Sequence, residues 1–521
     1  MQYADGLRGL FIVEDPDDPF DKYSDTEHVL MIYDMLASQT SEEYMLSKFA
    51  DDDFTNSEVQ DSSSSDTFYF VTLVNGQSSL DNAYVATYGY DAAATTGGAY
   101  NVTLAAGHTT RLRCASAAWN AQHSMRIVDA HTGEKQTFTV IASDGAYLKP
   151  VQVQELWMRA AERYDVLFTA SLENYPGHAA CAVLHAPRGC AYVISYEETG
   201  HATSTYKNTG AFGQSAFGDD NVTDDAEIRV PHARVYLPNP YDDDAPAQPT
   251  TAPTETPGAT GRAGRTVDMT LMSNVTIGIV PPKQPSTAVS LHEDFAHVPF
   301  VAVADVIEYG LFKADTNAEA APPPKSDMKL HYVITGAAYK KNYGGANTPP
   351  SANDGFAWRF NNQSWLDPTV PLYLSKGKYG IVTEYKNYGT RVDDVPYGAV
   401  VDLVVINNGA GSVGEFHTMH LHGHRFWVLG TGKLPYDEER AYATINLVDP
   451  PLKDTLPVRT GTYSILRIVA DNPGMWHFHC HLTVHMMLGL QAAINVGQDS
   501  QPFPPDEYFG ASSFAQSICP K

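Results

Sequence analysis

Short runs of β-branched and aromatic residues, bounded by Gly, Asn and Asp, recur along most of the chain. In the first half they occupy residues 67–76, 99–107, 110–116 and 162–171. In the second half they occupy residues 330–336, 398–409, 424–432 and 463–471. Such runs predict β-strands, and many short strands separated by turns are typical of β-sandwiches or barrels rather than α/β sheets. Residues 28–39 (HVLMIYDMLASQ) fit either a helix or a strand.

Polar segments divide this strand pattern into blocks. Residues 239–265 are rich in Pro, Thr and Ala, as in a linker, and they separate a β-rich block at 28–238 from a second at 266–500. A tail follows at 501–521. Residues 51–66 and 314–327 also read as unpacked insertions. A chain of 521 residues is too long for one core, and about two to four domains are expected.

Charge excludes some partners. The chain has 61 acidic and 34 basic residues, and its formal net charge is −27. Such a surface repels phosphate backbones, so we expect no nucleic-acid partner. We also expect no membrane partner, because no apolar run approaches the length of a membrane span. The first residues lack a basic segment followed by an apolar one, so no signal peptide is recognised in this chain.

Cysteines and sequons bear on the compartment. Five cysteines are present, so at least one stands outside any intrachain disulfide, and Cys181 and Cys190 are close enough in sequence to bridge locally. Asn-x-Ser/Thr sequons begin at Asn101, Asn221, Asn274 and Asn362. These features favour an extracellular, secreted glycoprotein.

Two histidine-rich segments carry the candidate chemistry. Residues 417–424 (HTMHLHGH) and 476–485 (WHFHCHLTVH) hold eight of the 19 histidines. In a β-strand, alternate residues point to the same side. His479 and His481 would then face one way and Cys480 the other, so that one strand could serve two metal centres.

The ligand types narrow the choice of metal. A thiolate with two imidazoles and a weak or absent axial ligand is the pattern of a blue-copper site. Cys480 can supply the sulfur, and His417 and His485 the nitrogens. Zinc also takes Cys and His, but a structural zinc site usually has paired cysteines, and the chain contains no C-x-x-C.

The two segments resemble the C-terminal copper motifs of the multicopper oxidases, a family that includes laccases, ascorbate oxidases and ferroxidases. Residues 479–490 (HCHLTVHMMLGL) fit the second motif throughout, whereas Thr418 stands where the first motif often has proline. Residues 2–16, 73–77, 161–168, 358–365 and 449–455 are similar to other stretches of the family. The resemblance implies an all-β fold of tandem cupredoxin-like Greek-key β-sandwich domains.

The resemblance also implies a role for each histidine in the two segments. His417, Cys480 and His485 correspond to the type 1 copper ligands and catalytic residues, and Leu490 stands at the axial position, where it cannot coordinate. His420 corresponds to a type 2 ligand. The residues that correspond to type 3 ligands are His422, His479 and His481. His424 and His477 are not ligands in the family pattern and are expected to pack or to form hydrogen bonds.

The implied reaction has two halves. A phenolic or similar small reductant gives single electrons to the type 1 copper, and these pass through Cys480 and its neighbours to a three-copper cluster that reduces O2 to water. The cofactor is therefore copper, and the partners are the reductant and O2. The protein contributes spacing, ligation and access.

Half of the expected cluster ligands do not occur in the sequence. The family uses eight histidines in His-x-His pairs, and this chain has four of them. Two explanations stay open: an N-terminally incomplete oxidase, in which residues 1–27 are the remnant of a first cupredoxin domain, or a shortened protein with only the blue site. The first is preferred, because closing strands without their sandwich would expose a β-edge.

Three alternative functions stay open as well. A non-enzymatic blue-copper electron-transfer protein follows if the chain begins at Met1. A ferroxidase would have an acid four positions before the first type 1 histidine, but that position is Val413, and Glu415 lies in the alternate register. A purely structural role is disfavoured because all three type 1 ligands are kept.

Overall fold

The computed structural model of the chain describes parts of both β-rich blocks, including both histidine-rich segments. The described residues are 6–36, 70–76, 100–119, 122–129, 132–171, 191–199, 272–280, 283–289, 295, 297–304, 311–338, 356–365, 372, 388–409 and 416–501. Strands dominate these ranges, which confirms the predicted all-β class. None of the helices in them is long and apolar enough to span a membrane.

The first block is built on an 11-stranded sheet. Its strands are β1 Thr26–Leu36, β2 Phe70–Val74, β3 Tyr100–Ala105, β4 Thr109–Ser116, β5 Gln122–Asp129, β6 Phe138–Ser143, β7 Ala146–Met158, β8 Arg163–Thr169, β9 Ala191–Thr199, β10 Met272–Val280 and β11 Phe300–Ala304. Their order is β2-β1-β4-β8-β6-β7-β5-β9-β10-β3, with β11 added alongside β7. A 3₁₀ turn at Asp21–Tyr23 precedes β1.

The second block packs a six-stranded sheet against a five-stranded one around a shared hydrophobic core. The strands are β12 Met328–Ala338, β13 Phe356–Phe360, β14 Ser364–Trp365, β15 Tyr388–Gly389, β16 Val392–Val395, β17 Val400–Asn407, β18 Phe416–Leu421, β19 Phe426–Lys433, β20 Leu452–Lys453, β21 Thr455–Arg459, β22 Thr462–Val469, β23 Gly474–Cys480 and β24 Gln491–Val496. The six-stranded sheet has the order β13-β12-β17-β22-β19-β20, and the five-stranded sheet the order β16-β24-β23-β18-β21. Strands β14 and β15 pair in a separate two-stranded sheet. Helices α1 Glu438–Tyr442 and α2 Thr483–Met487 and a 3₁₀ turn at Gln498–Ser500 complete it.

Antiparallel pairing brings the two histidine-rich segments together. Strand β18 lies between β21 and β23, and the register sets His420 opposite His479 and Met419 opposite Cys480. Both segments are therefore adjacent in the five-stranded sheet although about 60 residues separate them in sequence. Helix α2 then begins three residues after Cys480 and carries His485 back towards it.

Three sequence expectations can be compared with these elements. The ambiguous stretch 28–39 is strand β1 as far as Leu36. Strands β10 and β11 pair with β9, β3 and β7, so residues 272–280 and 300–304 join the first sheet, although the expected boundary at 266 assigned them to the second block. The residue types of a strand do not reveal which sheet that strand joins. The segments 51–66 and 239–265 lie outside the described residues.

The expected unpacked insertion at 314–327 is packed. Its backbone forms no regular strand, but Ala314 N–H donates to Asp449 O and Asp315 N–H donates to Tyr147 O. The carbonyl of Ala320 accepts from Trp427 Nε1. The interpretation of this segment as unpacked was wrong, because its polar backbone finds partners in both blocks.

Candidate metal centres

Cys480, His417 and His485 form a compact buried group. The Cys480 Sγ lies 3.8 Å from the Nδ1 atoms of both His417 and His485, and these two nitrogens are 2.9 Å apart. The point equidistant from the three atoms lies about 2.1 Å from each, close to the roughly 2.0–2.3 Å of bonds from a metal ion to imidazole nitrogen and thiolate sulfur. All three side chains are fully buried. The donor atoms therefore already stand where a small metal ion requires them.

Three different elements hold this group in place. His417 is on β18, Cys480 ends β23 and His485 is in α2. The backbone of Leu490 ties the ends together, because its N–H donates to His485 O and its carbonyl accepts from Cys480 N–H. Trp358 packs on both imidazoles, with ring centroids 4.3 Å from His417 and 5.1 Å from His485. Trp358 begins the stretch 358–365 that resembles the family, but neither that resemblance nor the strand pattern predicted its contact with the two imidazoles.

A second group lies on the opposite face of the same strands. The ligand atoms of His420, His422 and His479 lie within 4.8 Å of one another. His422 Nε2 is 3.1 Å from His479 Nε2. His481 stands beside this group, with its ring centroid 5.5 Å from that of His420 and 5.6 Å from that of His479. The alternation predicted from HCH is thus present: the thiol points to one group and its flanking imidazoles to the other.

Hydrogen bonds orient two of these imidazoles. His420 Nδ1 lies 2.8 Å from the carbonyl oxygen of Asp454, and His479 Nδ1 lies 2.9 Å from that of Cys480. A carbonyl only accepts, so each Nδ1 carries the proton and each Nε2 keeps a lone pair. Ligating histidines commonly donate their second ring N–H in this way.

His422, His479 and His481 are neutral at physiological pH. Burial, with smaller effects from His420 and His477, lowers the pKa of His422 to about 4. Burial and then His420 lower the pKa of His481 to about 3, and burial lowers the pKa of His479. Neutral imidazoles with converging lone pairs fit a metal cation better than they fit one another.

The chemistry of the donors fits copper in both places. Among the described residues, these are the two groups of three or more Cys, His, Asp or Glu side chains with ligand atoms close enough to share a metal ion. A buried thiolate with two imidazoles suits copper of the blue type, and an all-imidazole group suits copper as well.

The second group opens into a cleft of about 790 Å³. Its walls include His420, His422, His424, Asp454 and Trp476. The cleft gives small molecules a way to the imidazole group. The first group has no such opening among the described residues, since its three side chains are fully buried.

The remaining predicted residues fall as follows. His477 stacks on His479 with ring centroids 4.4 Å apart, and His424 Nδ1 lies 3.4 Å from the His422 carbonyl oxygen; both contacts agree with packing and hydrogen-bonding roles. Leu490 is fully buried. Val413 and Glu415 lie outside the described residues, as do Cys181 and Cys190.

Comparison with known proteins agrees with this geometry. Two family models, each described as multicopper oxidase, match residues 45–198 and 360–500. Laccase-11 of Arabidopsis thaliana is 42% identical over 191 residues, which are 36% of this chain and 30% of that protein. L-ascorbate oxidase of Brassica rapa subsp. pekinensis is 33% identical over 239 residues, 38% of this chain and 42% of that protein. These alignments span less than half of either relative.

Solved structures share the fold. The crystal structure of Fet3p, described as a multicopper oxidase that functions in iron import, has a TM-score of 0.60 at 17% identity and covers 99% of this chain and 74% of that one. The laccase from Botrytis aclada has a TM-score of 0.57 at 16% identity, covering 95% and 67%. The predicted tandem cupredoxin-like β-sandwiches are thereby confirmed, and the chain belongs to the multicopper oxidase family.

Proposed function

We propose that the protein is a laccase-like copper oxidase that removes single electrons from phenolic or similar small reductants and delivers them to O2, which becomes water. The observation that carries this proposal is the pair of donor groups joined by one tripeptide, His479–Cys480–His481. Relatives that the chain matches are named laccases and ascorbate oxidases.

Each residue has a defined task in this proposal. Cys480, His417 and His485 hold the type 1 copper, and Trp358 fixes the two imidazoles. His420, His422, His479 and His481 contribute to the oxygen-reducing cluster. Bound copper supplies the one-electron redox chemistry. The Cys480 backbone links the two groups through a few covalent bonds, and the hydrogen bond from His479 Nδ1 to the Cys480 carbonyl shortens that path.

The buried first group excludes water from the thiolate. A dry, preformed triangle resists the change in geometry that copper oxidation states otherwise impose, which favours rapid electron transfer. Leu490 has no donor atom to offer, so a copper ion held by His417, Cys480 and His485 alone would have a raised reduction potential.

Oxygen uptake is the direct test. Copper-loaded chain is given 2,6-dimethoxyphenol, ascorbate or ferrous iron, and O2 consumption is followed with an electrode. We expect a blue protein that consumes O2 with the phenol and loses both properties in Cys480→Ser. A colourless copper-loaded chain contradicts the proposal, and faster uptake with ferrous iron than with the phenol would replace it by a ferroxidase.

A second candidate is a blue-copper electron-transfer protein. It is favoured by the complete type 1 group next to only four of the eight histidines of the family's cluster. A blue chain that exchanges electrons with a redox dye but consumes no O2 would select it.

We also infer an extracellular location. Of the four sequons, Asn362 is exposed in a turn, where a glycosyltransferase can reach it. A mobility shift on glycosidase treatment, lost in Asn362→Gln, is the expected result for protein from a eukaryotic secretory host.

A further inference from the structure

Three consecutive residues cross from one sheet to the other beside the second histidine group. Lys453 ends β20 in the six-stranded sheet, and Thr455 begins β21 in the five-stranded sheet. Asp454 lies between them. The register sets Thr455 opposite His420. We call residues 453–455 the crossing.

The first block grips this crossing at Asp454. Arg163, the first residue of β8, donates from Nη1 to Asp454 Oδ1 over 2.7 Å and from Nη2 to Oδ2 over 2.6 Å. Arg163 is itself fixed, because its backbone N–H donates to Asp144 Oδ1 over 3.0 Å. A bidentate pair of this kind holds both position and orientation of the carboxylate.

The crossing in turn holds His420. The backbone carbonyl of Asp454 accepts the His420 Nδ1 proton over 2.8 Å. Thr455 Oγ1 lies 3.2 Å from the same nitrogen and donates to Asp454 Oδ1 over 3.0 Å. The carboxylate and the carbonyl of Asp454 thus belong to one connected set of hydrogen bonds, which begins in the first block and ends on an imidazole of the second.

We propose that Arg163 is a positioning residue for the second histidine group: by clamping Asp454 it fixes the carbonyl that orients His420, so that the affinity of this group for copper depends on contact between the two blocks. The inference rests on the proposed function for its metal. The positioning effect of Arg163 on His420 is transmitted through Asp454, whereas its positive charge also acts directly on His481.

Loss of the clamp frees a carboxylate close to the imidazole. Asp454 Oδ1 lies 3.9 Å from His420 Nδ1. Without Arg163, this oxygen can rotate to take the Nδ1 proton in place of the backbone carbonyl, and the ring turns with it. Removal of such an outer hydrogen bond typically weakens metal affinity by about 10- to 100-fold.

The test compares Arg163→Met, Arg163→Lys and a matched control, Arg126→Met, in the full chain. Arg126 lies in β5 of the first block and forms a bidentate pair with Glu155 (2.8 and 3.0 Å). Cupric ion is titrated into each protein. Blue absorbance and the narrow type 1 signal in electron paramagnetic resonance report the first group, and the signal with ordinary hyperfine splitting reports the second. His420→Ala sets the level for loss of the second copper.

We expect Arg163→Met to keep the blue site and to bind the second copper about 10- to 100-fold more weakly, with Arg163→Lys between it and wild type. Arg126→Met should bind the second copper as wild type does. Unchanged affinity in Arg163→Met, an equal loss in Arg126→Met, or a wild-type chain without a second copper would each overturn the inference. O2 uptake by the wild-type chain with the phenol separately tests the proposed function.

Discussion

The metal binding expected of the Cys480 thiol depends on the side chains that surround it in space as well as on its sequence neighbours. It lies in a fully buried pocket between two imidazoles that are themselves fixed by Trp358. Desolvation disfavours an uncompensated thiolate, whereas a metal cation between the three donors compensates it. The pocket therefore favours the metal-bound state of this cysteine over the free thiolate.

The chain contains a matched control for this thiol. Cys114 is also buried, next to Met125 in the first block, and belongs to neither histidine group. We expect Cys480→Ser to abolish the blue absorbance and to leave the fold intact, and Cys114→Ser to keep the colour. Absorption and circular dichroism spectra of the copper-loaded variants check this. Colour that survives in Cys480→Ser would remove the cysteine from the site.

Leu490 offers a graded change. The family resemblance assigns position 490 as axial to the proposed type 1 copper, so Leu490→Met should add a thioether ligand there, stabilise the cupric state and lower the reduction potential. Leu488→Met, two residues earlier and also buried, serves as the control and should leave the potential unchanged. Spectroelectrochemical titration measures both variants. An equal or higher potential in Leu490→Met would show that position 490 is not axial.

Strand β23 and helix α2 together explain why the motif works as a unit. The strand sends Cys480 and His479 to opposite groups, and the helix starts immediately afterwards to return His485. The first block supports this turn, because the carbonyl of Trp119 accepts from Thr483 N–H in the first turn of the helix. This contact uses one of the helix's free N-terminal donors.

Gly489 follows helix α2 at a position where both the backbone conformation and the neighbouring atoms disfavour a side chain. Its φ is +104°, and a Cβ there would collide with Ser364 Oγ and approach the Trp358 carbonyl to 3.0 Å. Gly461 has φ +79° but open space around it. We expect Gly461→Ala to cost about 1–2 kcal/mol from backbone strain alone, and Gly489→Ala to cost roughly 1–3 kcal/mol more from overpacking. Denaturant unfolding measures the difference, and equal losses would contradict the predicted crowding.

The local pattern made the strands and the copper motifs predictable, and long-range pairing did not follow from it. Alternation in HCH correctly separated Cys480 from its neighbours, because side-chain direction in a strand depends only on residue parity. The roles of Arg163 and Trp358 depend on which strands come together in space. The same reason explains why residues 272–280 and 300–304 were expected in the second block although they pair in the first sheet.

The two blocks meet through buried charges as well as through apolar packing. Lys453 is fully buried and reaches into the first block, where its Nζ lies 3.0 Å from Asp144 Oδ2 and 3.7 Å from Glu162 Oε1. Both carboxylates are fully buried too. Removing one member of such a set leaves an uncompensated charge in the interior.

Lysine variants separate this buried contact from surface pairing. We expect Lys453→Met to destabilise the protein by about 3–5 kcal/mol, because it removes a buried cation that faces the carboxylates of Asp144 and Glu162. Lys329 pairs with Glu438 at a partly exposed position, so Lys329→Met should destabilise the protein by only about 0–1 kcal/mol. Urea unfolding of the copper-free proteins gives both values. Similar losses in the two variants would mean that the interior pair is solvated.

Acid should destabilise the copper-free protein, because a buried neutral histidine takes up a proton more readily in the unfolded chain than in the fold. His123, remote from both donor groups in sequence, is fully buried, and burial lowers its pKa from 6.5 to about 3. The unfolded chain therefore binds one more proton between these values, so stability is full above pH 6.5 and falls as pH decreases towards 3. His123→Gln should reduce the slope by about 1.4 kcal/mol per pH unit near pH 5. An unchanged slope in urea unfolding between pH 6 and 4 would show that His123 is protonated in the fold.

The complete burial of Cys480, His417 and His485 has a consequence for how the protein matures. An ion cannot diffuse into a triangle that no solvent reaches, so loading waits for the surrounding strands and α2 to part. We expect copper uptake to proceed at the rate of this local opening, and the uptake rate to become independent of copper concentration once the ion is in excess. The same closure retains the metal, so chelators should strip it slowly even where they bind copper more tightly than the protein does.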